Sequence, residues 1–419
     1  MTDKDAAFEA TFAEYLREVQ VDTVGRENRR ELPRRQIRDL LGIGFGTLRL
    51  LQEWGGLGWD LARTFGAVID LAAADPHIAH AFRGHFNFIE DSRVAAPHHH
   101  PELIAALASG DFVGTAYSER ALTPAQQASV VQRGNTLYLS GVKYYSTGSL
   151  YADWIVTAGC DRDTGQQLNV IVNAHDPGVD IIDDWDGFGQ KLTGSGTTRF
   201  TDVPVAFRNH VGDESELAPD HAFQTAFLQL YLLAAVAGIS ASVVRDAVAY
   251  VQPRQRTFGV GAVAEPRRNP LVQETVGELH GIALSVRSII LEEARQLDAV
   301  QALLRDSGVD GERKLRAAQH SLVRVYSIQS LVLDLALRGA TRLFDVGGAS
   351  ATSVELALDR HWRNIRTIGT HNPADQRLQQ VGNHLLNDVT LSPLGRLGPT
   401  EIGLVTVPSV QPTLRETAR

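Results

Sequence analysis

Two short segments of this 419-residue chain concentrate side chains able to do chemistry. Lys143-Tyr144-Tyr145-Ser146-Thr147-Gly148 sets two adjacent hydroxyls before a glycine, and the apolar run Trp154-Ile155-Val156 follows. Thr193-Gly194-Ser195-Gly196-Thr197-Thr198, preceded by Trp185 and Phe188, repeats the arrangement further on. Hydroxyls donate and accept while aromatic faces stack, so the two clusters together suit a cleft that grips something flat. Either cluster alone is equally well a turn. Histidines are the other candidates: His80 lies on an apolar helix with His77 and His85 nearby, and His371 precedes Asn372-Pro373. Imidazole gives or takes a proton near neutral pH. A single histidine on such a helix serves just as well as a hydrogen-bonded core residue. His98-His99-His100, between two prolines, invites a metal reading, but consecutive side chains point apart and a solvated loop suits them better.

The elements that must position these groups fall into three stretches. Phe8, Phe12, Tyr15, Leu16 and Val19 share one helical face, and Leu61, Phe65, Val68, Ile69 and Ala72 form a second periodic run after Trp54-Gly55-Gly56-Leu57-Gly58. Pro101 suits the start of a short helix that Gly110 ends. From residue 112 the pattern changes to short strands at 112–117, 129–132, 137–139, 154–158, 168–172 and 198–200, with Gly134-Asn135 as a hairpin turn. Long helical periods return at 221–250, 271–304 and 312–344, with Asp310 as an N-cap and Gly347-Gly348 as a stop. The expected plan is α+β: a helical domain over 1–110, a middle β domain over 111–215, and a C-terminal helical bundle with its tail over 216–419.

Bulk properties exclude several classes. Hydrophobic residues make up 43% and charged residues 21%, an ordinary globular balance. A formal charge of -9 argues against nucleic acid as a partner. No apolar run is expected to reach the ~18 residues of a membrane span. The acidic MTDKDAAFEA start lacks the order of a signal peptide, so a soluble cytoplasmic protein is expected. The single cysteine, Cys160, rules out an internal disulfide and a cysteine-rich metal site. Neither GxGxxG after a strand nor GxxxxGK[ST] is present, so a Rossmann site and a P-loop are unsupported.

The order of segments resembles the acyl-CoA dehydrogenase superfamily: an N-terminal helical domain, a middle β-barrel-like domain and a C-terminal four-helix bundle. The likeness rests on residues 53–58, Ala116-Tyr117-Ser118-Glu119, residues 141–203, Arg256-Thr257-Phe258-Gly259, Val346-Gly347-Gly348 and residues 360–364. Within it, Asp184-Trp185-Asp186-Gly187-Phe188-Gly189-Gln190, the hydroxyl run at 193–198 and Asp359-Arg360-His361-Trp362-Arg363-Asn364 are similar to the flavin-dependent monooxygenase branch. That branch is typified by dibenzothiophene monooxygenase and the sulfur-acquisition, dimethyl-sulfone-type enzymes.

The resemblance implies FMN, delivered reduced by a separate NAD(P)H-dependent reductase, with O2 giving a C4a-hydroperoxyflavin that oxygenates a small organosulfur, heteroaromatic or amine substrate. It implies Ala116, Tyr117 and Ser118 at the isoalloxazine pyrimidine ring and Thr147 near flavin N5. It also implies cofactor contacts at Gly347 and Gly348, and at Arg256 across a subunit interface, hence a homo-oligomer of tetramer type. His371 is the first choice for the catalytic proton and His80 the second, with His85 and Trp185 as pocket walls; no metal is implied. Gly84, Thr115 and Asn372 stand where the dibenzothiophene enzyme has a tyrosine, an amide and an acid, which bears on substrate. A dehydrogenase needs a carboxylate base, and neither family location has one: residues 368–373 and 221–244 lack Asp and Glu. An FAD-dependent acyl-CoA dehydrogenase with a displaced base and a non-catalytic scaffold remain the alternatives.

Overall fold

The computed structural model describes residues 2–94, 100–120, 127–208, 218–256 and 265–392. The helical N-terminal stretch forms α1 (Asp3–Val21), α2 (Thr23–Arg29), α3 (Arg34–Gly42), α4 (Leu61–Ala74), α5 (Pro76–Ala81), α6 (Arg83–Val94) and α7 (Pro101–Ala108). The expected face of α1 is buried at Phe8, Phe12, Tyr15 and Val19, with Leu16 half-buried. Side-chain caps fix where two of these helices begin. Thr2 and Asp5 close a reciprocal capping box on α1. Asp75, ion-paired with Arg26 at 3.0 Å, accepts from the backbone N–H groups of His77 and Ile78 and so sets the start of α5.

The middle region is one sheet of β1 (Val113–Ala116), β2 (Ser129–Arg133), β3 (Thr136–Lys143), β4 (Trp154–Asp161), β5 (Gln167–Asn173), β6 (Val179–Ile182), β7 (Thr197–Pro204) and β8 (Phe207–Arg208). Its order is β6-β7-β3-β2-β4-β5-β8, and β1 also pairs with β4. β1 and β2 lie in succession along the same edge of β4, both parallel to it, with Val113 opposite Trp154 and Ser129 opposite Cys160. The Gly134 turn joins β2 to β3 with φ +61, as its sequence requires. β6 and β8, which the sequence pattern did not reveal, end the ladder; no pair among the described residues joins them.

The C-terminal helices are α8 (Pro219–Val251), α9 (Pro270–Arg305), α10 (Gly311–Arg342), α11 (Arg360–Gly369) and α12 (Ala374–Asn387). Asp310 caps α10 by accepting from Arg313 N–H. The three long helices pack on one another, α4 inserts against α8 and α9, and the short α11 and α12 supply the remaining side. One expectation needs correction. α8 is long and apolar enough to cross a membrane, with an 18-residue window of mean hydropathy 2.0, but 83% of that window is buried inside the fold. It is apolar all round because bundle helices and α4 surround it. A buried ion pair, Arg49 with Glu90 at 2.6 Å, and Gln301 accepting from Arg49 at 2.7 Å tie the N-terminal helices to α9. The buried apolar side chains form one continuous cluster through all three regions.

Candidate active site

Three chain segments converge beside the sheet: the α5–α6 junction, the 144–148 turn after β3, and the 189–198 loop before β7. Gly148, at φ +84, sits where a Cβ would lie 2.8 Å from the Ala81 carbonyl, and its N–H donates to Thr193 O at 2.9 Å. A side chain there would push the turn off α5. The end of β1 joins the same place, because Tyr144 N–H donates to Ser118 O at 2.8 Å and Thr115 N–H to Thr147 O at 3.4 Å. Lys143, buried to 1% side-chain exposure, is ion-paired with Glu119 and donates to Tyr117 O at 3.3 Å. These contacts bring Ala116, Tyr117, Ser118 and Thr147 together.

The hydroxyls there form a directed chain. Thr193 donates to Gln190 O at 2.9 Å, Thr193 and Ser195 are 2.7 Å apart, and Ser195 and Thr147 are 2.8 Å apart. A carbonyl only accepts, and each hydroxyl has one proton. Thr193 spends its proton on Gln190, so Ser195 donates to Thr193 and Thr147 donates to Ser195. Thr147 Oγ1 is left with lone pairs alone to offer a bound group.

His80 is buried at the end of α5, its Nδ1–H donating to Gln190 Oε1 at 3.0 Å. Burial, then the nearby Arg83 charge, lowers its pKa to about 4, so the ring is neutral at pH 7. Gln190 escaped the sequence reading of site roles. It holds φ +51, a strained value for a residue with a side chain, and its N–H donates to Asn364 Oδ1 at 2.6 Å. Asn364 in turn donates to Glu27, which also pairs with His77 at 3.0 Å and Arg363 at 2.9 Å. Burial opposes the ionisation of Glu27, but its interactions with His77, Arg363 and Asn364 hold its pKa down to about 2. Gly189 allows the close approach of α11: a Cβ there would meet Arg363 O at 2.3 Å.

His371 follows α11 and is exposed. Arg83 donates to its Nε2 at 3.4 Å. Burial first and Arg83 second hold its pKa well below the usual histidine value. Nε2 is thus an acceptor here. Asn372 donates to Gln229 at 2.8 Å. Gly84 packs where a Cβ would lie 2.6 Å from Thr115 Cγ2, so these two substitutions relative to the resembled branch are sterically linked.

His85 corrects the sequence expectation of a pocket wall. It is fully buried, its Nε2–H donates to Gly46 O at 2.8 Å, its Nδ1 accepts from Val113 N–H at 3.2 Å, and it stacks on Phe112 at 5.2 Å. Both nitrogens are consumed in fixing β1 to the helices. Trp185 is half-buried, edge-on to Tyr145 at 6.1 Å beside the 144–148 turn. Gly347 lies apart from this cleft at the end of the bundle: its Cβ position is 2.3 Å from Tyr250, and Arg254 donates to its carbonyl at 3.5 Å. Gly348 follows it, and Arg256 is exposed two residues past Arg254. Of the histidine triplet, His98 and His99 lie outside the described residues, as do 257–259 of the segment after Arg256. His100 donates to Arg208 O at 2.9 Å.

Buried polar atoms test whether a flavin suits this cleft. His80 Nε2, Gln190 Nε2 and Ser146 Oγ are buried and make no hydrogen bond with protein. Such atoms cost stability unless something pairs with them. A group carrying donors and acceptors on one edge, as a flavin does, fits them.

Comparison with known proteins finds the following similarities. Residues 230–376 match the acyl-CoA dehydrogenase C-terminal domain family. A probable FMNH2-dependent monooxygenase, SfnC of Pseudomonas putida, is 28% identical over 383 residues, covering 88% of this chain and 92% of the relative. The dibenzothiophene monooxygenase of Mycolicibacterium goodii is 26% identical over 89% of this chain and 92% of its own length. FMN-bound TdsC from Paenibacillus sp. A11-2 superposes with a TM-score of 0.83 at 23% identity, covering 93% of this chain and 99% of that one. This chain therefore has the acyl-CoA dehydrogenase-like fold, matches the acyl-CoA dehydrogenase C-terminal domain over residues 230–376, and is similar over 88% of its length to a probable FMNH2-dependent monooxygenase.

Proposed function

We propose that this chain is the oxygenase of a two-component flavin-dependent monooxygenase, taking reduced FMN from a separate NAD(P)H-dependent reductase and oxygenating a small organosulfur, heteroaromatic or amine substrate. The directed hydroxyl chain ending at Thr147 carries the reading. It offers an acceptor, which complements the N5–H of a reduced flavin and not the N5 lone pair of an oxidised one. Bound reduced FMN would supply the electrons that activate O2.

The chain's own residues do the rest. Ala116, Tyr117 and Ser118 would hold the ring of the cofactor, and Arg256, Gly347 and Gly348 its tail from an adjoining subunit. His80, buried, and His371, exposed, are both neutral and would accept a proton at Nε2 and relay it. Trp185 and Tyr145 wall the pocket. Homo-oligomer assembly, of tetramer type, is supported by exposed Leu271, Leu284, Leu331 and Leu385 on the bundle helices. The dehydrogenase alternative lacks its base at both family locations.

The test supplies reduced FMN and 18O2 with thioanisole, dibenzothiophene and indole as probes. Labelled oxygen in an organic product is expected. Peroxide alone with every probe, together with anaerobic bleaching of bound flavin by an acyl-CoA, would replace this reading with dehydrogenation. Failure to bind flavin in either redox state would leave the scaffold alternative.

A further inference from the structure

Buried arginines in this chain are satisfied in two ways: Arg26 has Asp75 at 3.0 Å and Arg49 has Glu90 at 2.6 Å, whereas Arg93 donates to Arg49 O at 2.7 Å and to Gln301. Two arginines at the active-site cleft also lack a carboxylate. Arg83, the first residue of α6, is anchored by donating from Nε to Leu228 O at 3.0 Å, and it reaches His371 Nε2 at 3.4 Å. Arg377 of α12 is 2% exposed and donates to the side-chain oxygens of Gln229 and Gln329, with the Tyr326 ring 4.4 Å from its guanidinium. Neither forms an ion pair among the described residues. The pKa of Arg83 is depressed to about 10, chiefly by burial and then by Arg377, and burial lowers that of Arg377. The cleft face of α6 continues through Asn87 to Asp91, about 12 Å from Arg83 along the axis. Asp91 is occupied instead with Gln224 at 2.8 Å and Asn87 at 3.2 Å.

A guanidinium that has donors left over and no counter-charge can take its anion from a ligand. Of the five N–H donors on Arg83, two are used by Leu228 and His371, leaving three, enough for a two-point contact with a pair of oxygens. The amino end of α6 adds positive potential at the same spot. Arg83 is itself only part-buried, so its remaining donors are within reach of a ligand.

We propose that Arg83 recognises an oxyanion on the substrate, a carboxylate or a sulfinate, and so aligns the remainder of that molecule between His80 and His371. Arg377 supplies background positive charge. This inference rests on the cleft being the substrate site of the function proposed above, but its test needs no turnover.

The full-length protein loaded with oxidised FMN is titrated calorimetrically with benzenesulfinate, benzoate and neutral methyl phenyl sulfoxide, as wild type, Arg83→Met and Arg83→Lys. Benzenesulfinate and benzoate should bind the wild type and lose roughly 10- to 100-fold in affinity in Arg83→Met, the range for one charge-assisted contact. Arg83→Lys should recover part of that loss, while the affinities for FMN and the sulfoxide stay unchanged. Anion affinity equal in wild type and Arg83→Met overturns the proposal, as does a wild type that takes the sulfoxide but neither anion at millimolar concentration. A parallel loss of FMN affinity would assign Arg83 to the cofactor's own charge and equally overturn it. Near-ultraviolet circular dichroism separates these outcomes from misfolding, and the lysine variant keeps the test decisive if the methionine one does not fold. Anion binding by a chain that oxygenates nothing would retract the monooxygenase reading and leave this one standing.

Discussion

Thr193→Val should lower the midpoint potential of bound FMN. In the wild type, Gln190 O takes the Thr193 proton at 2.9 Å, and this forces Ser195 and then Thr147 to donate away from the cleft. Valine keeps the shape but removes the hydroxyl that sets the direction. Ser195 then has no acceptor at 193, and Thr147 is free to rotate and donate into the cleft. A donor at that position favours oxidised flavin, whose N5 accepts, over the reduced form, whose N5–H donates. One neutral hydrogen bond contributes about 0.5–1.5 kcal/mol. For a two-electron couple this corresponds to roughly 10–30 mV. The potential should therefore fall by that amount, which equals a roughly 2- to 10-fold loss of preference for reduced FMN. Anaerobic reductive titration against a reference dye measures it. Ser195→Ala interrupts the chain one hydroxyl later and should shift the potential the same way. An unchanged or raised potential in both variants, with flavin still bound, would refute the directional argument.

Burial and packing give two further expected outcomes. Burial holds the pKa values of His80, His85 and His361 at about 4, against an ordinary 6.5. The unfolded chain takes up these protons as pH falls below about 6.5, while the folded chain does not until about 4, so stability must drop across that window, by up to about 3 kcal/mol per histidine. A urea midpoint that stays level from pH 7 to pH 5 would contradict this. Gly84→Ala places a Cβ 2.6 Å from Thr115 Cγ2 and 3.0 Å from its Oγ1, and should cost about 1–3 kcal/mol. Thr115→Ala in the same chain should recover most of that loss; thermal melts that simply add would disprove the contact.

Helix periodicity located the bundle because α8, α9 and α10 are long enough for a face to repeat many times, and Asp310 marked the start of α10. The same local signal failed for β6 and β8, strands of 4 and 2 residues, which are too short to show alternation. It also understated α8: judged as a run it is broken by polar residues, but judged as a window it is as apolar as a membrane helix because neighbours cover it on every side. Thr147 and the 116–118 segment could be placed from motif order, since the backbone pairing of β1 with β4 and of Ser118 with Tyr144 brings them together. His85 was misjudged for the converse reason. Its residue type suits a pocket, but Gly46 and Val113, 39 and 28 residues away in the chain, occupy both its nitrogens.

Gln190 and Arg83 show where residue type stops being informative. Gln190 matters because a left-handed backbone turn, anchored by Asn364, aims its amide at a histidine 110 residues earlier and its carbonyl at Thr193. One residue thereby sets both the tautomer of His80 and the direction of the hydroxyl chain. These are separate jobs done by the two ends of one glutamine, and a motif read as a turn gives no hint of either. Arg83 is defined by what does not pair with it. A charged residue in a sequence is assumed to find a partner or water, and only the packed cleft shows that its neighbours are a neutral histidine, a carbonyl and a second guanidinium. The chemistry of the site therefore depends on polarity more than on residue identity. On the reading proposed above, an acceptor at Thr147, two neutral imidazoles and an uncompensated cation would together select a reduced ring on one side and an anion on the other.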